Sequence, residues 1–213
     1  MKRIFSLALA LFMTLAVLSV QPAPAQTSGS VAALEAYKAV LQNKMTFYST
    51  DDRKTYNLHE FDYWSEQSNI PLQVVSFAVV DMDDDGIPEV VLELTSGFDG
   101  SFEVLHYEDG RVYGFNHSYR GMVGLTSDGI YEGSSGAADS GFYKACITKD
   151  TYEEEALGYS ASGADGTVSY YIGKAKVSKS QYDDFLEKMW AHARANQAAW
   201  HDFTDAAIAS VFQ

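Results

Sequence analysis

Between two runs of β-branched residues, the stretch "VVDMDDDGIPEVV" (residues 79–91) sets Asp81, Asp83, Asp84, Asp85 and Glu89 within nine positions. Carboxylates this close repel one another, and each makes its neighbours harder to ionise. A hard divalent cation removes that cost, and Ca2+ is the one that gathers about six to eight oxygens with no help from soft ligands. With Asp81 counted as position one, Asp83 and Asp85 stand at three and five. Gly86 takes position six, where the chain must bend sharply, the Ile87 carbonyl falls at seven and Glu89 at nine. These are the offsets at which an EF-hand loop presents its oxygens. Position twelve departs from that pattern, because Leu92 stands where a bidentate Glu belongs and Glu93 lies one further on. The competing reading is a solvated acidic hairpin, but the mutual repulsion in such a loop argues for a counter-ion.

Other chemistry is less well supported. Gly133-Ser134-Ser135-Gly136-Ala137 approaches a nucleophile elbow around Ser135, yet it ends in Ala and lacks a strand-to-helix setting. The five histidines, His59, His106, His117, His192 and His201, show no H-x-x-x-H spacing for zinc, and His192 reads as a solvated helix-face residue. Acidic pairs for glycoside hydrolysis are numerous in a chain this acidic, and their separation in space is not written in the sequence. The segment "NHSYRGMVGL" is the best pocket candidate, with Tyr119 and Arg120 ahead of a glycine that permits an unusual turn. The competing reading there is a loop whose Arg120 pairs with a carboxylate.

The chain has 213 residues, 46% of them hydrophobic, which suffices for one sizeable core. Residues 1–25 read as a signal peptide: Lys2 and Arg3 precede the uncharged apolar residues 4–20, and Ala23-Pro24-Ala25 supplies small residues before Gln26. A retained membrane anchor is the alternative. Loss of Lys2 and Arg3 takes the formal charge from −14 to −16, a surface that repels nucleic acid and anionic lipid. The expectation is therefore a secreted or extracytoplasmic protein with no nucleic-acid partner and no membrane span after cleavage. Cys146 is the only cysteine, so no internal disulfide forms, and its place in the apolar run "FYKACIT" suggests a buried structural thiol.

The elements that must position the acidic turn read as α+β: an antiparallel β meander with N-terminal and C-terminal helices packed against the sheet. Ser30 is a candidate N-cap for a first helix carrying Val31, Leu34, Tyr37 and Leu41 at helical spacing. Residues 46–70 show no clean period, consistent with an irregular stretch or a short helix over residues 58–64. From Leu72 onward, strands alternate with Asp-Gly turns at 85–86, 99–100, 109–110, 128–129 and 165–166. At the third, "FEVLHY" pairs with "VYGFNH" and Glu108 faces Arg111. Ser178 and Gln181 form a capping box before an apolar stripe of Tyr182, Phe185, Leu186, Met189 and Trp190, best read as a core-facing helix. A last short helix covers residues 206–212. Residues 26–213 then form a single domain with a calcium-binding loop at 81–89.

Because its flanks are strands, the acidic loop is not a helix-loop-helix. It resembles the D-x-D-x-D-G-x-x-D/E loops joining two strands in FG-GAP-type repeats. It is more similar still to a group of uncharacterised secreted or lipid-anchored bacterial proteins with the strand-loop-strand run A-L-V-D-I-D-G-D-G-I-P-E-L. The match covers residues 77–94, with "YRGM" (residues 119–122) and "GSSGAADSGFYK" (residues 133–144) in the same character. The resemblance implies Asp81, Asp83, Asp85 and the Ile87 carbonyl as Ca2+ ligands, Glu89 completing the site directly or through water, and Asp84 pointing to solvent. One such loop cannot build a propeller. Two functions follow: a non-catalytic exported domain, clipped by one Ca2+, that binds an extracellular or cell-envelope ligand, or a small secreted hydrolase with an acidic active-site cleft.

Overall fold

The computed structural model describes residues 28–61, 63, 70–97, 100–136 and 138–213. The signal-peptide reading of residues 1–25 lies outside the described residues, as do Trp64, Asp99 and Ala137. The class is α+β, with three helices and antiparallel strand order as its main themes.

The meander is divided over two sheets. One has seven strands: β1 (Phe47–Ser49), β2 (Lys54–Tyr56), β3 (Gln73–Val80), β4 (Glu89–Thr95), β5 (Gly100–Glu108), β6 (Arg111–Ser118) and β12 (Trp200–Asp202), in the order β12-β3-β4-β5-β6-β1-β2. The other has β7 (Ile130–Gly136), β8 (Asp139–Thr148), β9 (Thr151–Ser162), β10 (Val168–Ile172) and β11 (Ala175–Val177), paired consecutively. Of residues 46–70, the described ones (46–61, 63 and 70) are more regular than their sequence suggests. They hold the β1-β2 hairpin and a 3-10 turn at Leu58–Glu60, and β1 runs parallel to β6. Three-residue strands are too short to display a period. The β5-β6 hairpin has the expected register, Glu108 opposite Arg111, and its turn takes positive φ at both Asp109 (52°) and Gly110 (79°).

Alternation along the large sheet sorts its side chains onto two cores. Phe77, Val90, Leu92, Leu94 and Leu105 face α1 (Ser28–Leu41) and α3 (Asp205–Val211). Ala78, Val91, Val104 and Phe115 face the second sheet, where Tyr131, Ala145 and Ile147 meet them. The outer face of that sheet is covered by α2 (Lys179–Ala195), through Phe185 against Phe142 and the Tyr182 hydroxyl donating to the Ser140 carbonyl.

Four local expectations change in three dimensions. Ser30 lies inside α1 and is buried, and the inward face runs through Ala33, Ala36, Tyr37, Val40 and Leu41, leaving Val31 exposed. Cys146 is exposed, because in β8 its neighbours Ala145 and Ile147 take the core side. The capping box of α2 forms as expected, Ser178 accepting from the Gln181 N–H and Gln181 from the Ser178 N–H. Of the α2 stripe, however, only Tyr182 is buried, and Trp190 is 42% exposed. His192 is half-buried and hydrogen-bonded rather than merely solvated, its Nε2 lying 2.9 Å from Asp128 Oδ2.

Two buried titratable groups away from the acidic loop contribute to how stability depends on pH. Glu103 is enclosed beside Phe47 and Gly114, and burial, only partly offset by the Asn116 amide, raises its pKa to about 8. The folded chain thus keeps a proton there that the unfolded chain has lost above about pH 4.5, so stability falls as pH rises from about 4.5 to about 8. Burial lowers His117 to about 4, with the opposite sign: stability is lost as pH falls from about 6.5 through 4. Glu103→Gln should remove the first slope and raise the unfolding free energy at pH 8 by a few kcal/mol at most. Urea denaturation of both proteins at pH 5 and pH 8 measures it, and equal slopes would contradict this account of Glu103.

Candidate metal centre

The loop of residues 81–88 leaves β3, turns over itself and enters β4. Its conformation is held by its own carboxylates: Asp81 Oδ2 accepts the Gly86 N–H at 3.0 Å, Asp83 Oδ1 the Asp85 N–H at 3.3 Å, and Asp85 Oδ1 the Ile87 N–H at 2.6 Å. Asp84 and Gly86 take positive φ of 62° and 84°. Aspartate tolerates that region and glycine enters it freely, which accounts for the D-D-G run at the bend.

Glu89 is the first residue of β4 and is 0% exposed. Strand alternation turns it, like Val91, toward the space between the sheets, and a carboxylate there must be compensated. Its Oε2 accepts the Met82 N–H at 2.9 Å, and its Oε1 lies 3.0 Å from Nδ1 of His106 on β5. Burial raises Glu89 to about 7 against those hydrogen bonds. Burial acts to lower His106, but Glu89, Asp83 and Glu108 together outweigh it and raise the imidazole instead. Burial, with the charge of Asp85, also raises Asp83. Two carboxyls that resist ionisation beside an imidazole that holds its proton mark a point short of positive charge.

Oxygens of Asp81, Asp83 and Glu89 lie within 4.8 Å of one another, and this cluster could hold a metal ion. Asp81 Oδ1 is buried with no hydrogen-bond partner among the described residues. An orphaned carboxylate oxygen beside two others is the feature a cation would satisfy. The Asp85 carboxylate, also named from sequence, is exposed, and its Oδ1 accepts the Ile87 N–H; the Ile87 carbonyl is a backbone group outside this side-chain cluster. Asp84 is largely exposed, but its carboxylate is paired with Lys144 of β8.

Neighbours from outside the loop fix its position. Asp83 Oδ2 accepts the Ile147 N–H of β8 at 3.3 Å. Gly129, at φ 78°, lies so close beneath the loop that a Cβ there would sit 2.6 Å from Met82 Cα and 2.7 Å from the Met82 carbonyl oxygen. His106, Lys144, Ile147 and Gly129 are missing from the sequence reading because all of them reach the loop across strands. His106 has a retrievable signal, since the β4-β5 register sets Val90 opposite Leu105 and so brings His106 beside Glu89. The Ser135 motif lies within β7, with no strand-to-helix turn. Among the described residues, Arg120 donates to the Ser134 hydroxyl and the Gly136 carbonyl.

No family model matches the chain, and comparison with curated proteins and with solved structures gives no match.

The two glycines separate strain from space. Gly129→Ala meets both positive φ and a backbone clash, so a loss of about 2–4 kcal/mol is expected. Gly86→Ala meets only positive φ, with nothing within 4 Å, so about 1–2 kcal/mol is expected. Chemical denaturation of the two variants should rank them in that order, and the reverse order would show that the Asp128-Gly129 turn does not buttress the loop.

Proposed function

We propose that this protein is an exported, non-catalytic binding domain whose fold is clipped by one Ca2+ in the loop of residues 81–89. The orphaned Asp81 Oδ1, gathered with Asp83 and the buried Glu89, is the observation that carries this reading. An all-oxygen donor set with no thiolate favours a hard cation, and a loop of this kind is roomier than the octahedral shell that Mg2+ demands. The remaining ligands would come from Asp85, the Ile87 carbonyl or water, as in the strand-loop-strand group that the sequence resembles. Export would place the loop in calcium-rich surroundings, and the leader-like residues 1–25 together with the acidic composition support that setting. Among the described residues no helix is long and apolar enough to cross a membrane.

A structural role follows from where the loop is tied. It touches both sheets, through Glu89 with His106 and through Asp83 with Ile147. A cation bound there would favour the assembled sandwich over the unfolded chain. The hydrolase alternative has less support, because the most perturbed carboxyl off the loop, Glu103, is packed beside Phe47 and Gly114.

Calorimetric titration of the chain from residue 26 should give one equivalent of Ca2+. At tenfold excess over the dissociation constant, linkage adds about 1.4 kcal/mol to stability. Asp83→Ala should abolish the heat and the calcium-dependent rise in melting temperature. Absence of both effects in the wild type would refute the clip.

A further inference from the structure

A second feature lies where the C-terminal part of α2 passes the segment before β7. Two surface hollows of about 190 and 280 Å³ lie side by side there and share Gly124 and Gln197. Trp190 lines the first, with Glu132 and Arg194, and Trp200 lines the second, with Glu93. Both indoles are open to solvent, Trp190 at 42% and Trp200 at 36%. The aromatic surface continues beyond the second hollow, where Phe102 lies 6.2 Å from Trp200 and 6.3 Å from Tyr119, itself 54% exposed. Together the hollows fall within the ~300–1,000 Å³ of ordinary ligand sites, and their lining mixes the two indoles with the polar side chains of Glu93, Glu132, Arg194 and Gln197.

We propose that this double hollow binds a neutral oligosaccharide, one ring seated against each tryptophan. A pyranose offers an apolar C–H face and a rim of hydroxyls. The first fits the electron-rich face of an indole, and the second fits planar groups that donate and accept in pairs. The Gln197 amide, the Arg194 guanidinium and the Glu132 and Glu93 carboxylates supply such groups between and beside the rings.

The same surroundings disfavour other ligands. The two carboxylates outnumber the one guanidinium, on a chain of formal charge −14, so anionic polymers are repelled. An extended peptide needs free backbone groups to pair with. Here Val123 and Glu132 exchange both of their backbone hydrogen bonds, and Ala198 donates to the Leu125 carbonyl. These backbone groups are already paired, and the side chains around them offer the larger set of polar atoms to a ligand.

This inference rests on the reading of the protein as a binding domain and is independent of the metal. The test is intrinsic tryptophan fluorescence and calorimetry of the chain from residue 26. The probes are cellotetraose, maltotetraose and N-acetylchitotetraose, with tetragalacturonic acid and tetra-alanine as controls, each run in calcium and in chelator. At least one neutral tetrasaccharide should bind and shift the indole emission, with the two controls silent. Trp190→Ala and Trp200→Ala should each weaken binding about tenfold or more, and Trp190→Phe should restore part of it, at unchanged melting temperature. Gln197→Ala should weaken it without altering the emission of the free protein. No shift with any of the three neutral probes, binding that survives loss of both tryptophans, or a preference for the peptide or the acidic sugar would overturn the proposal. Sugar binding without calcium uptake would leave this site standing and remove the clip, and the converse would do the reverse.

Discussion

Glu89 is a fully buried carboxylate at the point where the β3-β4 hairpin of the large sheet meets the second sheet. An ion in such a place is tolerated only when its surroundings replace the water it has lost. The Met82 N–H comes from the loop itself, His106 from the neighbouring strand, and Asp81 and Asp83 converge from the same loop with charge of the wrong sign. Hydrogen bonds alone leave this cluster electrostatically unbalanced, as the raised Glu89, Asp83 and His106 all indicate. The path of the chain from β3 to β4, the packing of Gly129 beneath the loop and the tie to β8 all follow from holding that carboxylate in place.

Features settled within a few residues were legible in the sequence. The capping box of Ser178 and Gln181, the type I′ turn at Asp109-Gly110 and the register of the hairpin it closes depend on neighbours in the chain and on alternation, and they take the expected form. Features settled by other strands were not legible. Cys146 sits in an apolar run that conceals which residues face inward until β8 is set against the large sheet. The stripe on α2 suggested a helix buried along its length, yet the second sheet covers the end near Tyr182 and Phe185 and leaves Trp190 over a hollow. Within the acidic loop, spacing brought out the aspartates, but not that Asp81 Oδ1 is left buried without a partner or that Glu89 meets His106 from the next strand.

Buried ionisable groups elsewhere in the molecule show what sets the loop apart. Glu103 is as deeply buried as Glu89 and its pKa is also raised, but its surroundings are Phe47, Gly114 and the Asn116 amide. A lone carboxyl among such neighbours lowers its energy by keeping its proton, and no ion is needed. His117 does the reverse and stays neutral, its ring 4.2 Å from that of Tyr152. Glu89 differs because two further carboxylates point at the same space, where retaining one proton does not remove the repulsion among all three. Glu103 Oε1 is itself buried without a hydrogen-bond partner among the described residues, so convergence of carboxylates, more than burial, an orphaned oxygen or a shifted pKa, distinguishes a cation site from a lone core acid.

One segment connects this loop to the aromatic hollows. Residues 122–125 line the hollows, and the turn that follows carries Asp128, paired with His192 of α2, and Gly129, pressed against Met82. Thr126 and Gln197 are bridged, and Ser127 donates to the Asn196 carbonyl, so the end of α2 is fastened to the same turn. The acidic loop therefore bears on the turn, the turn on the end of α2, and α2 on the placement of Trp190. With a single cysteine and no disulfide available, these contacts are what hold the wall of the hollow in register with the sheet beneath it. Loop and hollow thus share one support, and each keeps its own side chains, carboxylates at the first and indoles at the second.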